Sequence, residues 1–541
     1  MAKGYRRVDR DQVFLLPPSM RDWLPDDHLV WFVIEAVERL DTSAFHTRAR
    51  LGGVGRRGFD PDMLLCLFVY AMAHGVRSSR QIERLCHTDV AFRVICAQGA
   101  PDHTVLARFR RDHEQAMQDL LTQTLVLAAE LGMVRLGVVA FDGTRIAANA
   151  SKDANRGEAH LRKLAEEFVD TVAEIDEAED TLFGENNRGD ELPPDVRDRT
   201  HRKQRIAQAL EQVTARGEAV RRAETEQAER VRACERAVTE GVKGRGRYPK
   251  GADRLTLTKI RWEHERAKAQ QYYEQWHQDR ERGERRPGAA PVPPDEHCRV
   301  RKAWANYQAE AAKAAAAGLS ARAADVTADA ATATGSERVT ANLTDPDSRL
   351  LKTRNGWIQG YNCQTAASED AFILTARATQ DANDVDQFVP TMNELTATAL
   401  ILADRTGRDD LTVGTMVGDA GYDSADNLAA QGPDRLIADG KGHTITQRAA
   451  ADPATGDPPE LASLREKMNH RLRTPEGHTL YKRRGPMIEA PNAWLKDGRG
   501  LRRFSRRGLA AAHAELSFAC AVTNLLKIAT KGITAAQLRA G

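Results

Sequence analysis

The stretch LGVVAFDGTRIAANAS at residues 136–151 reads as strand, and strand-like sequence does not return until residue 341. Between them, residues 152–340 are charge-rich and helical in pattern, with few large apolar residues and interruptions at 184–195, 241–253 and 285–297. A sheet that uses both strand regions must be assembled from distant pieces, with the helical segment outside it as an insertion. Within that segment Leu161, Leu164, Phe168, Val172, Ile175 and Leu182 form one narrow apolar stripe, and Ile206, Leu210, Val213 and Val220 form another. This is the spacing of helices that pair as long hairpins or coiled coils. The second stripe decays at Glu224 and Gln227, which argues against an extended zipper, and the Ala-rich piece at 310–333 fits a helix or a loose segment.

Before the first strand the pattern is helical. Leu29, Phe32, Val33 and Val37 recur at helical spacing after Asp26 and Asp27, and a second helix is expected from Asp60 to His74. Ser78 with Gln81 three residues on suits a capping box for a short helix to about Cys86, and Thr88 is placed to cap the next. From Asp102, DHTVLARFRRDH buries Val105, Leu106 and Phe109 and is expected to turn Arg108, Arg110, Arg111 and His113 outward. Short helices ending in a basic one fit a helix-turn-helix DNA-binding unit, and equally a plain bundle with a solvated basic face. A linking helix at 114–133 follows.

In the first strand Val138, Val139 and Phe141 read as buried, and Asp142-Gly143 reads by itself as a turn that ends the strand. After 341, a turn at Asn355-Gly356 and strands around 357–365 and 371–380 suggest an antiparallel hairpin. A helix near 384–402, a strand at Val413–Val417 ending at Asp419, a Ser424-capped helix and a strand at 434–438 complete a mixed sheet with helices against it. The expected class is α+β and multi-domain, with boundaries at 1–133, 134–151, 152–340 and 341–541.

Charge is concentrated late in the chain. Residues 461–510 hold thirteen basic and four acidic residues, although the net charge of all 541 residues is only +2, because runs such as 165–180 are acidic. Clustering, not net charge, decides polyanion binding. The seven cysteines form no CxxC pair, which suits reduced cytosolic thiols and not zinc. The first residues have no apolar signal core, and the apolar runs at 63–73 and 516–526 are too short to cross a bilayer, so they read as core helices and the chain as cytoplasmic.

Three acids stand out by position: Asp142, Asp419, and Glu489 inside the basic stretch YKRRGPMIEAPNAWLKDGRGLRRFSRR at 481–507. Three carboxylates converging at strand ends would suit two hard cations, Mg²⁺ or Mn²⁺, bound through oxygen. Such a pair supports phosphodiester chemistry. A surface acid paired with neighbouring arginines is the plain alternative for Glu489.

The motifs VVAFDGT, VGDAGYD and YKRRGPMIEAPNAWLK, with TDPDSRLLKTRNGWIQGYN between them and RGLRRFSRRGL after, together resemble a bacterial insertion-sequence transposase of the DDE type. That resemblance spans about residues 20–530 and is weakest over the insertion. It implies a helical amino-terminal DNA-binding domain, a ribonuclease H-like core interrupted by the insertion, and a helical carboxy-terminal end. It also implies a catalytic, metal-binding triad of Asp142, Asp419 and Glu489, using Mg²⁺ with Mn²⁺ as a substitute. Tyr481, Arg483 or Arg484, and Lys496 match the family's basic signature around the glutamate, with four residues between Arg484 and Glu489. With Arg502, Arg503, Arg108, Arg110 and Arg111 they are the expected DNA contacts. The implied partners are double-stranded DNA, as element ends and target, and a second copy of the chain on DNA, in a cytoplasmic, nucleoid-associated setting. The implied activity is cleavage at terminal inverted repeats and strand transfer. A nuclease without strand transfer and an inactive DNA-binding protein are the alternatives. Pro486 and Pro491 flank Glu489 and predict a helix start or kink there.

Overall fold

A computed structural model describes residues 19–47, 58–165, 199–242, 248–283, 289–324 and 339–540. It divides into two compact units, one of residues 1–155 with 342–541 and one of residues 156–341.

In the first unit, the α-helices of six or more residues that precede the sheet among the described residues are α1 Leu29–Arg39, α2 Pro61–Ala73, α3 Ser79–Thr88, α4 Val90–Ile95, α5 His103–Asp112 and α6 Glu114–Glu130. Three of them start at an aspartate whose side chain accepts from a backbone N–H that has no intrahelical partner, whereas Ser78, ahead of α3, makes no side-chain cap hydrogen bond and the expected capping box with Gln81 does not form. Asp60 caps α2 ahead of Pro61, Asp89 rather than Thr88 caps α4, and Asp102 caps α5. Leu106 and Phe109 of α5 are buried as expected, and Arg108 and Arg111 are exposed. Arg110 and His113, however, do not face outward. Arg110 donates to the Arg77 carbonyl and lies over the Phe68 ring, and His113 packs between Phe45 and Phe109. A ten-residue helix packed on three neighbours has a wider buried face than its apolar residues alone suggest, and Arg fills it with its stem.

The sheet is built on β1 Val138–Ala147. The strands after the insertion are β2 Arg349–Thr353, β3 Gly356–Ser368, β4 Ile373–Thr379, β5 Thr415–Gly418 and β6 Asp434–Ile437. β1 runs antiparallel to β3, from Val139 opposite Ser368 to Ala147 opposite Gly360. On its other side β1 is parallel to β5, which is parallel to β6. The far edge of β3 pairs with β2 near its start and with β4 further on. The expected turn at Asp142-Gly143 does not form. β1 continues through both residues to Ala147, because the ladder to β3 offsets a local turn preference.

Alternation along β1 sends Val138 and Ala140 to one face, with Val417, Leu436, Ile445, Leu472, Met487 and Ile488. Val139 and Phe141 go to the other. That second face is covered by α6, by α10 Phe388–Thr406 and by α15 Leu509–Thr530. α15 has the length and apolarity to cross a bilayer, yet most of it is buried inside the fold. It is pinned there by Asn524, whose side chain accepts from the Ile373 N–H and donates to the Ile373 carbonyl, each at 2.9 Å. The first face carries α11 Gly442–Ala451, α12 Leu464–Arg473, α13 Pro475–Lys482 and α14 Arg484–Ala493.

The amino-terminal helices are held to the basic carboxy-terminal stretch by a buried ion pair. Arg77 meets Glu515 of α15 at 2.5 Å and also donates to the Gly500 and Arg503 carbonyls. The other Glu515 oxygen accepts from the Ser505 N–H.

The second unit contains α7 Arg199–Thr239, α8 Arg254–Glu281 and α9 Cys298–Ala324, with α8 packed along α9 around Trp262, Trp304 and Tyr307. Ile206 and Val213 of the second expected stripe are buried. From Phe168 to Leu182 the first stripe lies outside the described residues, as do the 184–195 interruption and the Ala-rich piece beyond 324.

Replacing Glu515 by alanine leaves the Arg77 guanidinium buried without its partner. Chemical denaturation is expected to show a loss of about 3 kcal/mol.

Candidate active site

Asp142 sits in mid β1, on the face shared with Val138 and Ala140. Asp419 follows β5 directly. The parallel pairing of β1 and β5 reaches Ala140 opposite Val417, so two residues further on Asp142 and Asp419 come side by side. Between them Phe141 points to the opposite face and closes over Gly418, where any Cβ would overlap its ring. Glycine there lets the two strands approach closely one residue before the acids.

Each aspartate is aimed by a glycine N–H. Asp142 Oδ1 accepts from Gly143 at 2.8 Å, and Asp419 Oδ1 accepts from Gly421 at 2.9 Å. Arg484, the first residue of α14, spans the pair: its guanidinium lies 3.3 Å from Asp142 Oδ2 and 3.7 Å from Asp419 Oδ2. Burial pushes the Asp142 carboxyl up to about 6; Arg484 pulls it down, and the Asp419 charge adds to the rise. For Arg484, burial lowers the pKa but the two aspartates outweigh it, so the net shift is upward. Tyr481, raised by burial, is hydrogen-bonded to Arg484. Lys496 is lowered by burial and lies within electrostatic range of Asp142.

Glu489 is exposed on α14, its Oε1 3.6 Å from where a Gly485 Cβ would stand. The helix lies across β1 and β3. Thr365, opposite Asp142 in the ladder, donates to Asn492 Oδ1 at 3.0 Å. The helix therefore carries Arg484 to the aspartates at its start and Glu489 along one flank. Pro486 is tolerated in the first turn, Pro491 stands inside the helix, and a π-helical turn follows at Trp494–Gly498. Among the described residues the carboxylates of Asp142, Asp419 and Glu489 are not gathered within 4.8 Å of one another. The group that is so gathered, His46 with Asp60 and Asp62, is explained by the α2 cap and an ion pair.

The basic stretch divides into two kinds of cation. Arg499 donates to the Met72 and Ala73 carbonyls, Arg506 pairs with Glu114, and Arg507 donates to the Asn149 carbonyl. These hold the stretch to the helices. Lys482, Arg483, Arg502 and Arg503 are exposed, with Arg483 paired to Glu369 and Arg502 to Asp497.

One acidic group beside the pair has no counterpart in the sequence reading. Asp384, in the loop after β4, accepts from the Asn362 and Gln364 side-chain amides at 2.8 and 2.7 Å. Gln364 in turn accepts from the buried Tyr422 hydroxyl. The available signal was two polar residues, Asn362 and Gln364, alternating in a strand otherwise buried.

The donor atoms at Asp142 and Asp419 are all carboxylate oxygen, which suits a hard divalent cation, and the charge such an ion would neutralise is met here by Arg484. An oxygen-lined acid pair on adjacent strands, flanked by exposed cations, is an arrangement suited to a polyanion. Comparison with known families makes this specific. Residues 18–112 match a transposase domain (DUF772), and residues 455–529, which include Glu489, match a transposase DDE domain. These two matches, at opposite ends of the chain, support an insertion-sequence transposase of the DDE type. No curated protein and no solved structure matches it.

Because the folded-state pKa of Asp142 is raised, its contribution to metal-free stability is full below the ordinary carboxylate range and is lost as pH rises through about 6. Asp142→Asn is expected to raise the Tm of the metal-free protein at pH 8, by the equivalent of about 2 kcal/mol, and to leave it unchanged near pH 3. Thermal melts at the two pH values check this.

Proposed function

We propose that Asp142, Asp419 and Glu489 are the metal-holding triad of a ribonuclease H-like core, and that the protein cuts DNA at the terminal inverted repeats of its own element and joins the freed 3′ ends to target DNA. The observation that carries this reading is Arg484. One helix supplies both the cation that spans Asp142 and Asp419 and, five residues on, the third acid. The sheet order β4-β3-β1-β5-β6, with three antiparallel strands followed by two parallel ones, supports the ribonuclease H-like assignment.

Mg²⁺, or Mn²⁺ in its place, would supply the Lewis acidity for in-line phosphodiester displacement. The chain's own residues do the rest. Gly143 and Gly421 hold one oxygen of each aspartate toward the backbone, and the other oxygen of each faces Arg484; these two carboxylates, with Glu489, would hold the ion. The planar guanidinium fork of Arg484 is of the kind that would pair with a DNA phosphate at the site. Tyr481 supports Arg484, and Lys496 keeps a positive charge beside β1. Lys482, Arg483, Arg502 and Arg503, with Arg108 and Arg111 on α5, offer exposed charge to the phosphate backbone. Arg110, held by Arg77, supports the helix from within instead. On DNA the protein is expected to act as a homodimer or larger assembly, since two ends must be joined to one target.

Supercoiled plasmid carrying the element's ends is expected to be cleaved with Mg²⁺ and to stay intact with EDTA, and Asp419→Ala is expected to lose cleavage by several orders of magnitude. A variant that cuts as well as the wild type contradicts the assignment. Arg502→Ala with Arg503→Ala is expected to weaken binding to all DNA sequences and to reduce the slope of log K against log salt by about 1 per lost phosphate contact. Filter binding across a salt series measures it.

A further inference from the structure

The two aspartates are aimed through glycine backbones, and one side chain touches both. Asp384 packs directly on Gly143: a Cβ there would overlap Asp384 Oδ1 and stand 2.7 Å from Gln364 Nε2. It also packs on Gly421, where a Cβ would lie 3.6 Å from both Asp384 Cβ and Oδ2 and 3.0 Å from Asp419 Oδ1. These are the same glycines whose N–H groups hold Asp142 and Asp419. Asp384 is itself fixed. Its Oδ1 accepts from Asn362 and Gln364, neighbours two apart on β3, and Gln364 is locked by the Tyr422 hydroxyl at 2.5 Å. Tyr422 is fully buried, with its ring edge-on to Phe141 at 4.6 Å, so the chain of contacts ends in the hydrophobic core.

We propose that Asp384 is a positioning residue of the active site: clamped by Asn362 and Gln364, it fixes the Gly143 and Gly421 backbones and so sets the separation and aim of Asp142 and Asp419. This deepens the reading above and rests on it. The role is one of placement by a doubly accepting oxygen. An asparagine at 384 presents the same oxygen to the same two amides and keeps the contact with both glycines. An alanine loses both and leaves the two side-chain amides facing a gap. Outer partners that orient metal-holding carboxylates characteristically carry about 10- to 100-fold in metal affinity or activity.

The test uses the full-length protein and two readouts: Mn²⁺ binding without DNA, followed by the loss of the free-ion EPR signal, and Mg²⁺-dependent plasmid cleavage. Asp384→Ala is expected to weaken Mn²⁺ binding and slow cleavage about 10- to 100-fold each, and Asp384→Asn to recover both to within about threefold of wild type. Asn362→Ala, which removes one clamp and leaves the acid, is expected to fall between, and it carries the test if Asp384→Ala does not fold. Wild-type Mn²⁺ affinity in Asp384→Ala or in Asn362→Ala overturns the proposal. So does an Asp384→Asn variant as weak as Asp384→Ala, because negative charge and not placement would then be the function. Asp142→Asn is the control: Mn²⁺ binding that depends on Asp142 without any DNA cleavage by the wild type would defeat the proposed function while leaving this inference standing.

Discussion

Two carboxylates set side by side on neighbouring strands repel each other, and half-burying one of them raises the cost. The fold meets this with Arg484, placed at the start of α14 so that its guanidinium reaches both Asp142 and Asp419. Much of the architecture exists to make that triangle possible. The parallel pairing of β1 with β5 brings the acids together, and Gly418 beneath the Phe141 ring lets the strands close. The helix that carries Arg484 is anchored by Met487 and Ile488 in the sheet's core and by Asn492 on β3. A cation held this way offsets the repulsion between the two carboxylates in the metal-free protein.

The same logic separates the arginines of the basic stretch. Arg499, Arg506 and Arg507 spend their hydrogen bonds on carbonyls and on Glu114, and Arg77 with Glu515 ties the stretch to the amino-terminal helices. Partly buried guanidinium groups of this kind order a surface from below. The exposed cations around them stand on an ordered backbone, which would lower the entropy lost on contact with a phosphate backbone under the proposed function.

What the sequence disclosed followed from periodicity and from caps. The helix starts at Asp60, Asp102 and Ser424, the hairpin of β3 and β4, and the strands on either side of the insertion were legible because local chemistry and tertiary packing agree there; a helix does begin after Ser78, but without the expected capping bond. Asp142 was legible as a candidate and misread as a turn, since the two-sided ladder of β1 is a long-range fact that a dipeptide cannot report. The cap at Asp89 in place of Thr88 is an ambiguity of one residue between two capable side chains. Arg110 faced inward because α5 is covered by Arg77 and by α15, neither of which is close in sequence. Asp384 was invisible: it belongs to no motif, and its importance lies in contacts with glycines 241 residues before it and 37 after it.

On the proposed function, Asp142 and Asp419 would hold a divalent cation, and in the metal-free protein Arg484 meets their charge. The direct test is a crystal structure of the protein soaked in Mn²⁺, with anomalous scattering used to place the ion. The account predicts an anomalous peak at the carboxylates of Asp142 and Asp419, with the Arg484 side chain turned away from them. Peaks confined to His46, Asp60 and Asp62, or an Arg484 that still spans the two aspartates with Mn²⁺ bound elsewhere, would contradict it.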